Sequence, residues 1–264
     1  MLKRIILAGM LILLLCGCAK ATPTPEIPSV TAAPTEAPTV PPTDPPTEPA
    51  TEAPTAPPHS ELYLPGVSVE DVLLYFNEVC LNAEYVNGGD PSFLQRWNAP
   101  ISYVLLGDYT PEDTETIAGL TGWLNTQFGF PGMYRTEDAA MANLEIYFCD
   151  QAEIVDRMGD NFWDADGAVT FWYADDVIYK AIICIRSDVD QELRNSVILE
   201  EIYNGLGPIQ DTSLRPDSII YSEFSSPQEL TDLDQLILQL LYHPDLKCGM
   251  SADECEAAIR RIYY

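Results

Sequence analysis

The segment with the most chemistry in it is Glu200-Glu201-Ile202-Tyr203-Asn204-Gly205-Leu206-Gly207, followed by Gln210 and Asp211. Carboxylates and amides at this density suit a hard cation such as Ca²⁺ or Mg²⁺, which selects oxygen ligands. A carboxylate beside a polarised water is also the usual form of a general base, and Glu201 is the candidate for that role. Glu200 and Glu201 diverge by 100° if the segment is helical, so an all-oxygen site of Glu200, Glu201, Asn204 and Asp211 needs the chain beyond the helix to fold back.

The segment must be read as a helix from about Val189 to Gly207. Leu193, Val197, Glu200 and Asn204 then share one side, and Ile198, Leu199, Ile202 and Leu206 the other. A helix apolar on both sides lies inside a protein, not on its surface. Burying Glu200 and Asn204 costs free energy unless they are partnered. Either they enter a satisfied polar network or they line a pocket.

The ends of the chain set its setting. Met1 to Cys18 reads MLKRIILAGMLILLLCGC, a basic start followed by an apolar run shorter than the ~20 residues that span a bilayer. This is a secretion signal over residues 1–17. Leu15-Cys16-Gly17-Cys18 resembles the bacterial lipobox, which implies cleavage before Cys18, a lipid on that cysteine, and a lipoprotein on the outer face of the cell membrane.

From residue 18 to residue 60 the chain is a Thr/Pro/Ala/Glu tract without an aromatic residue. It has nothing to bury and is expected to be disordered. Proline stiffens such tracts toward ~3.1 Å per residue, so this one reaches on the order of 100 Å as a stalk. That length suits a tether through a cell wall and favours a Gram-positive source.

Residues 61–264 suffice for one domain with a sizeable core. The net charge is −28, which argues against nucleic acid as a partner and is read first as solubility. Five cysteines remain after the signal: Cys80, Cys149, Cys184, Cys248 and Cys255. The first three sit among apolar residues and read as small core residues. Cys248 and Cys255 flank the start of the last helix and could staple it.

Within the domain the apolar periodicity predicts, in order, a helix from Ser68 to about Ala83, a strand over Ser102–Leu106 and a helix from Thr110 to about Phe128. A strand over Ala142–Cys149 and a short helix over Gln151–Met158 follow. Gly167–Tyr173 and Val177–Arg186 pair as a hairpin across Ala174-Asp175-Asp176. After the central helix come Ser218–Tyr221, a helix from Leu230 to Tyr242 capped by Thr231, and a last helix opened by Ser251–Glu254 with Ala257, Ala258 and Ile262 inward. Arg96 and Trp97 precede the first strand, with Trp97 expected in the core. The fold class is α+β, a twisted mixed sheet packed by helices.

Glu200, Glu201, Asn204, Gly207 and Gln210 occupy the frame of the metzincin motif H-E-x-x-H-x-x-G-x-x-H, with Glu, Asn and Gln at the ligand positions. Ser218-Ile219-Ile220-Tyr221 resembles the Met-turn segment of a matrixin, and Leu230-Thr231-Asp232-x-Asp234 with Leu241-Tyr242 resembles its closing helix. More closely, Arg96-Trp97-x-x-Pro100-Ile101, Leu120-Thr121-Gly122, Ala142-Asn143 and Leu241-Tyr242-x-Pro244-x-Leu246-x-x-Gly249-Met250 resemble the bacterial domain-of-unknown-function family 2927. The resemblance covers most of Ser68 to Ile262 and implies a zincin or metzincin-like architecture. Members of that family commonly carry Glu-Glu where a peptidase carries His-Glu.

The departures decide the chemistry. The only histidines are His59, in the stalk, and His243, after the closing helix, so neither stands at a ligand position and Ile220 replaces the Met-turn methionine. Zinc catalysis needs three protein ligands and an open position. No cofactor is expected.

Three readings follow. The first is a cell-surface lipoprotein whose degenerate peptidase-like domain binds an extracellular peptide or protein in a groove beside the central helix, with Glu200, Asn204, Gln210 and Asp211 as the degenerate ligand positions. The second is a hydrolase with an all-oxygen metal site and Glu201 as base. The third is a purely structural surface domain. No GxSxG, P-loop or CxxC competes with them.

Overall fold

The structure is a computed structural model that describes residues 62–81, 93–223 and 226–263. The signal, Cys18, the Thr/Pro tract, His59, the end of the first helix near Ala83 and the Asn87–Pro91 break lie outside the described residues. Ser68 opens the first helix, α1 (Val69–Leu81), and its hydroxyl accepts from Asp71 N at 3.1 Å. Val72, Tyr75, Phe76 and Val79 are buried along it, as their spacing predicts.

Two strands follow, β1 (Arg96–Trp97) and β2 (Ile101–Gly107), and then α2 (Pro111–Leu124). Thr110 caps α2 in a reciprocal capping box with Asp113. Ile117, Leu120 and Leu124 are buried, but the helix stops at Asn125 and Phe128 is 76% exposed, which corrects the expected end. The stop is made by Asn125, whose amide donates to Met133 O and accepts from Met133 N at 2.9 and 2.7 Å. That clamp turns the chain into β3 (Met133–Arg135), a strand too short for periodicity to reveal.

Next come β4 (Leu144–Cys149) and α3 (Gln151–Met158), capped by Asp150. The hairpin is β5 (Gly167–Ala174) and β6 (Val177–Arg186). Its Asp175 and Asp176 both adopt positive φ, 50° and 60°, as a two-residue primed turn requires. The last helices are α4 (Gln191–Gly205), α5 (Asp232–Leu241) and α6 (Ala252–Ile262). In α6 the inward stripe is Cys255, Ala258, Ile259 and Ile262, while Ala257 is exposed, one position off the expected face.

Six strands form one sheet, and all its pairings are parallel except β5 with β6. β5 takes one edge of β6 along its length, from Gly167 opposite Ile185 to Ala174 opposite Val177. The other edge is shared by β1, at Val177–Ile178, and β4, at Ala181–Arg186. β2 and β3 continue the sheet beyond β4. Among the described residues β5 is thus an end strand that pairs with β6 alone.

The two faces of the sheet differ. One carries the main core, built with Ile146, Phe148, Val169, Phe171, Ile183 and Ile185 and the buried faces of five helices. The other carries a separate small cluster of Cys149, Ile154, Met158, Phe162, Ala165, Ala168 and Cys184 under α3. The fold is α+β, with a mostly parallel sheet and six helices among the described residues.

Candidate functional site

α4 is fixed at both ends. Asp190 caps its start by accepting from Leu193 N. One turn in, Arg194 reaches the fully buried Asp113 of α2 at 3.3 Å and also donates to Ser187 O and Val189 O. Gln191 donates to Asp113 Oδ1 at 2.6 Å, and Thr116 of α2 donates to Asn195 at 3.1 Å. Asp113 is therefore more than the first-turn acid its sequence position suggests, because it ties α2 to α4.

The C-terminal turn is held by residues distant in sequence. Trp97 Nε1 donates to Gly205 O at 2.9 Å and Tyr242 Oη donates to Leu206 O at 2.8 Å, which satisfies carbonyls that a helix end leaves open. Arg96 donates to Leu241 O at 2.5 Å and lies 5.6 Å from the centre of the Tyr242 ring. Gly207 turns the chain at φ 134°, where a Cβ would meet Gln95 O at 2.7 Å. The Arg-Trp, Gly and Leu-Tyr motifs that carry the family resemblance thus converge on one clamp.

Between those ends lies the polar stretch. Glu200, Glu201 and Asn204 are 5%, 2% and 3% exposed. Glu201 faces the sheet over Gly167, the first residue of β5, where a Cβ would meet Glu201 Cγ and Oε1 at 2.7 Å and Val197 Cγ1 at 2.4 Å. Gly205, one turn on, faces Val169 and Ile183. The missing side chain at Gly167 is what lets a carboxylate sit between helix and strand.

Taking Glu201 as the sheet-facing direction, Asn204 lies about 60° and Glu200 about 100° around the helix on one side, whereas Asn195, which bonds α2, lies about 120° round on the other. The Glu200–Asn204 side is therefore turned away from α2. Asn204 Oδ1 is buried and has no hydrogen-bond partner. An acceptor in that state costs about 1–3 kcal/mol.

Gln210 and Asp211 are half-buried and leave the helix along another path. Gln210 N donates to Val79 O of α1 at 3.2 Å, and Thr212 bonds Glu78 at 2.6 Å and pairs with Tyr221. The structure brings Glu200, Glu201 and Asn204 onto one helix, with Gln210 and Asp211 in the segment beyond it. Among the described residues no three His, Cys, Asp or Glu side chains are grouped so as to hold a metal ion. Glu200, Glu201 and Asp211 therefore make no such group of three.

The Ser218–Tyr221 segment is anchored by Asp234, which is fully buried in the first turn of α5. Its carboxylate accepts from Tyr75 Oη at 2.9 Å, Ser218 Oγ at 2.8 Å, Thr231 Oγ1 at 2.8 Å and Ile219 N at 3.3 Å. Burial and that carboxylate push the Tyr75 phenol well above its ordinary range, so it stays a neutral donor. Ile220, at the Met-turn position, is completely buried.

Cys248 and Cys255 are not joined: all five cysteines of the described domain are free thiols. Cys255 points into the core from α6, where burial pushes its thiol up to about 12, while Cys248 donates to Arg96 O at 3.5 Å. The expected staple is therefore absent.

Sequence reasoning missed β5 as the end of the strand order, Gly167 as the seat of Glu201 and Asp113 as the partner of Arg194. Only Gly167 left a signal, since glycine within a strand commonly marks a close approach. No curated protein matches the chain. The family model described as a protein of unknown function, DUF2927, matches residues 70–261, which include α4 and every motif of the clamp, and the chain belongs to that family.

Proposed function

We propose that this protein is a cell-surface lipoprotein, tethered through Cys18 and the Thr/Pro stalk, whose domain binds an extended peptide or protein segment along the outer edge of β5. The single observation that carries this reading is the place of β5 at the end of the strand order, pairing with β6 alone among the described residues, with Glu201 of α4 packed on its first residue. A strand at the end of a sheet can template strand addition, in which main-chain bonds supply affinity and neighbouring side chains supply selectivity. Asn204 Oδ1 then offers an acceptor for a ligand N–H.

A metzincin-like architecture is part of this proposal. It is supported by the order of elements, with a parallel sheet, one antiparallel end strand and a buried helix bearing the Glu200–Gly207 frame. The replaced ligand positions and the sealing of Glu201 against Gly167 favour binding over hydrolysis. Fold likeness alone does not assign activity.

Selection of displayed random peptides against the full chain tests the reading. Enriched peptides are expected to bind without being cut and to lose affinity when alternate backbone amides are N-methylated. Peptides cleaved on addition of zinc or calcium, or binding indifferent to N-methylation, would overturn it.

A further inference from the structure

Two thiols outside the site lie diagonally on adjacent strands on the far side of the sheet. Cys149 ends β4 and Cys184 lies in β6, the strand paired with it. In that register Tyr147 stands opposite Cys184 and Cys149 opposite Arg186, so Cys149 and Cys184 project from the same face two residues apart on adjacent strands. They share the small cluster with Ile154, Met158 and Phe162, apart from the main core. Cys149 is 3% exposed and Cys184 fully buried.

We infer that Cys149 and Cys184 are an oxidisable dithiol that closes to a disulfide across β4 and β6, with α3 as its cover. The cover can open without the main core, because α3 has only eight residues and packs on a separate cluster of seven. Cys149 immediately precedes Asp150, the cap of α3, so release of that helix first uncovers Cys149.

The two thiols are also unequal. The Cys184 thiol donates to Cys149 and holds its sulfur below the ordinary thiol range, while burial and that same bond push Cys184 up. Because Cys149 lies at the end of β4 beside the cap of α3 and is uncovered first, it is the attacking sulfur, and Cys184, mid-strand and fully buried, is the resolving one.

The step balances with a small disulfide such as oxidised glutathione as oxidant. Cys149 thiolate attacks one of its sulfurs, and a mixed disulfide forms as the first small thiolate leaves. Cys184 then loses its proton and attacks Cys149 Sγ, expelling the second. The protein gives up two electrons and two protons, and two small thiols carry them away.

The test uses the full chain with Cys16→Ser and Cys18→Ser, incubated with oxidised glutathione under native conditions and mapped by non-reducing peptide mass spectrometry. The expected product is a Cys149–Cys184 disulfide, and since the register sets their Cα atoms roughly 8 Å apart, its closure should draw the last residue of β4 inward, read as faster amide exchange at Cys149 and Asp150. Cys184→Ser should trap glutathione on Cys149, and Cys149→Ser should leave Cys184 unmodified. A bridge that forms only in denaturant, a pairing between other cysteines, or first modification at Cys184 would overturn the inference.

Discussion

Two adjoining stretches at the C-terminal end of α4 are built on opposite terms. At its C-terminal turn, Trp97, Tyr242, Arg96 and Gly207 converge, and the carbonyls of Gly205 and Leu206 each receive a bond from a buried side chain. Immediately before it, Asn204 keeps a buried acceptor without a partner, and one turn earlier Glu201 is fitted into a gap left by Gly167. The first region spends its residues on holding the helix. The second carries, in Asn204 Oδ1, a buried acceptor that holding the helix does not use. Polar side chains kept in a core at a cost to stability are where a ligand is to be sought.

The largest effects are expected where the helix is held. Trp97→Ala removes a fully buried indole and the donor to Gly205 O, and should destabilise the domain by about 3–5 kcal/mol in a denaturant titration. Asp113→Ala strips the buried Arg194 of its carboxylate and should cost a comparable ~3–5 kcal/mol. A loss under ~1 kcal/mol in either would break the contrast between clamp and polar stretch.

Gly167→Ala should come next. Its methyl would meet Val197 Cγ1 at 2.4 Å and the Glu201 side chain at 2.7 Å, an overpacking worth about 1–3 kcal/mol. Asn204→Leu sharpens the comparison by changing sign. Removing the unpartnered amide should leave the thermal midpoint unchanged or raise it, with a gain of up to about 1 kcal/mol, while weakening any selected peptide. A marked fall in stability would show that the amide serves the core.

The smallest effect is electrostatic. Asp188 and Asp217 are held below the ordinary aspartate range by Arg186 and Arg215. A depressed folded pKa contributes stability above the unfolded value, which is lost as pH falls through the folded one. The Tm difference between wild type and Asp188→Asn should therefore be present at about pH 6 and vanish by about pH 2.

Much of the fold was legible because local chemistry and packing agreed. The caps at Ser68, Thr110, Thr231 and Ser251 and the Asp175-Asp176 turn mark real boundaries. Phe128 misled because its spacing continues the α2 stripe, whereas Asn125 ends the helix through a bond to Met133, a contact no periodicity encodes. The polar residues of α4 could be named from spacing, and their burial followed from the apolar sides of the helix. Which strand they would face could not, since the β5 edge and the gap at Gly167 come from pairings across the sheet.

Amide hydrogen exchange of the full chain, with and without a peptide enriched by selection, tests the central claim most directly. Slowed exchange confined to Gly167–Ala174 and the facing turns of α4, with the peptide recovered intact, is the predicted result. Unchanged exchange along β5 with protection elsewhere, or recovery of peptide fragments, would contradict it.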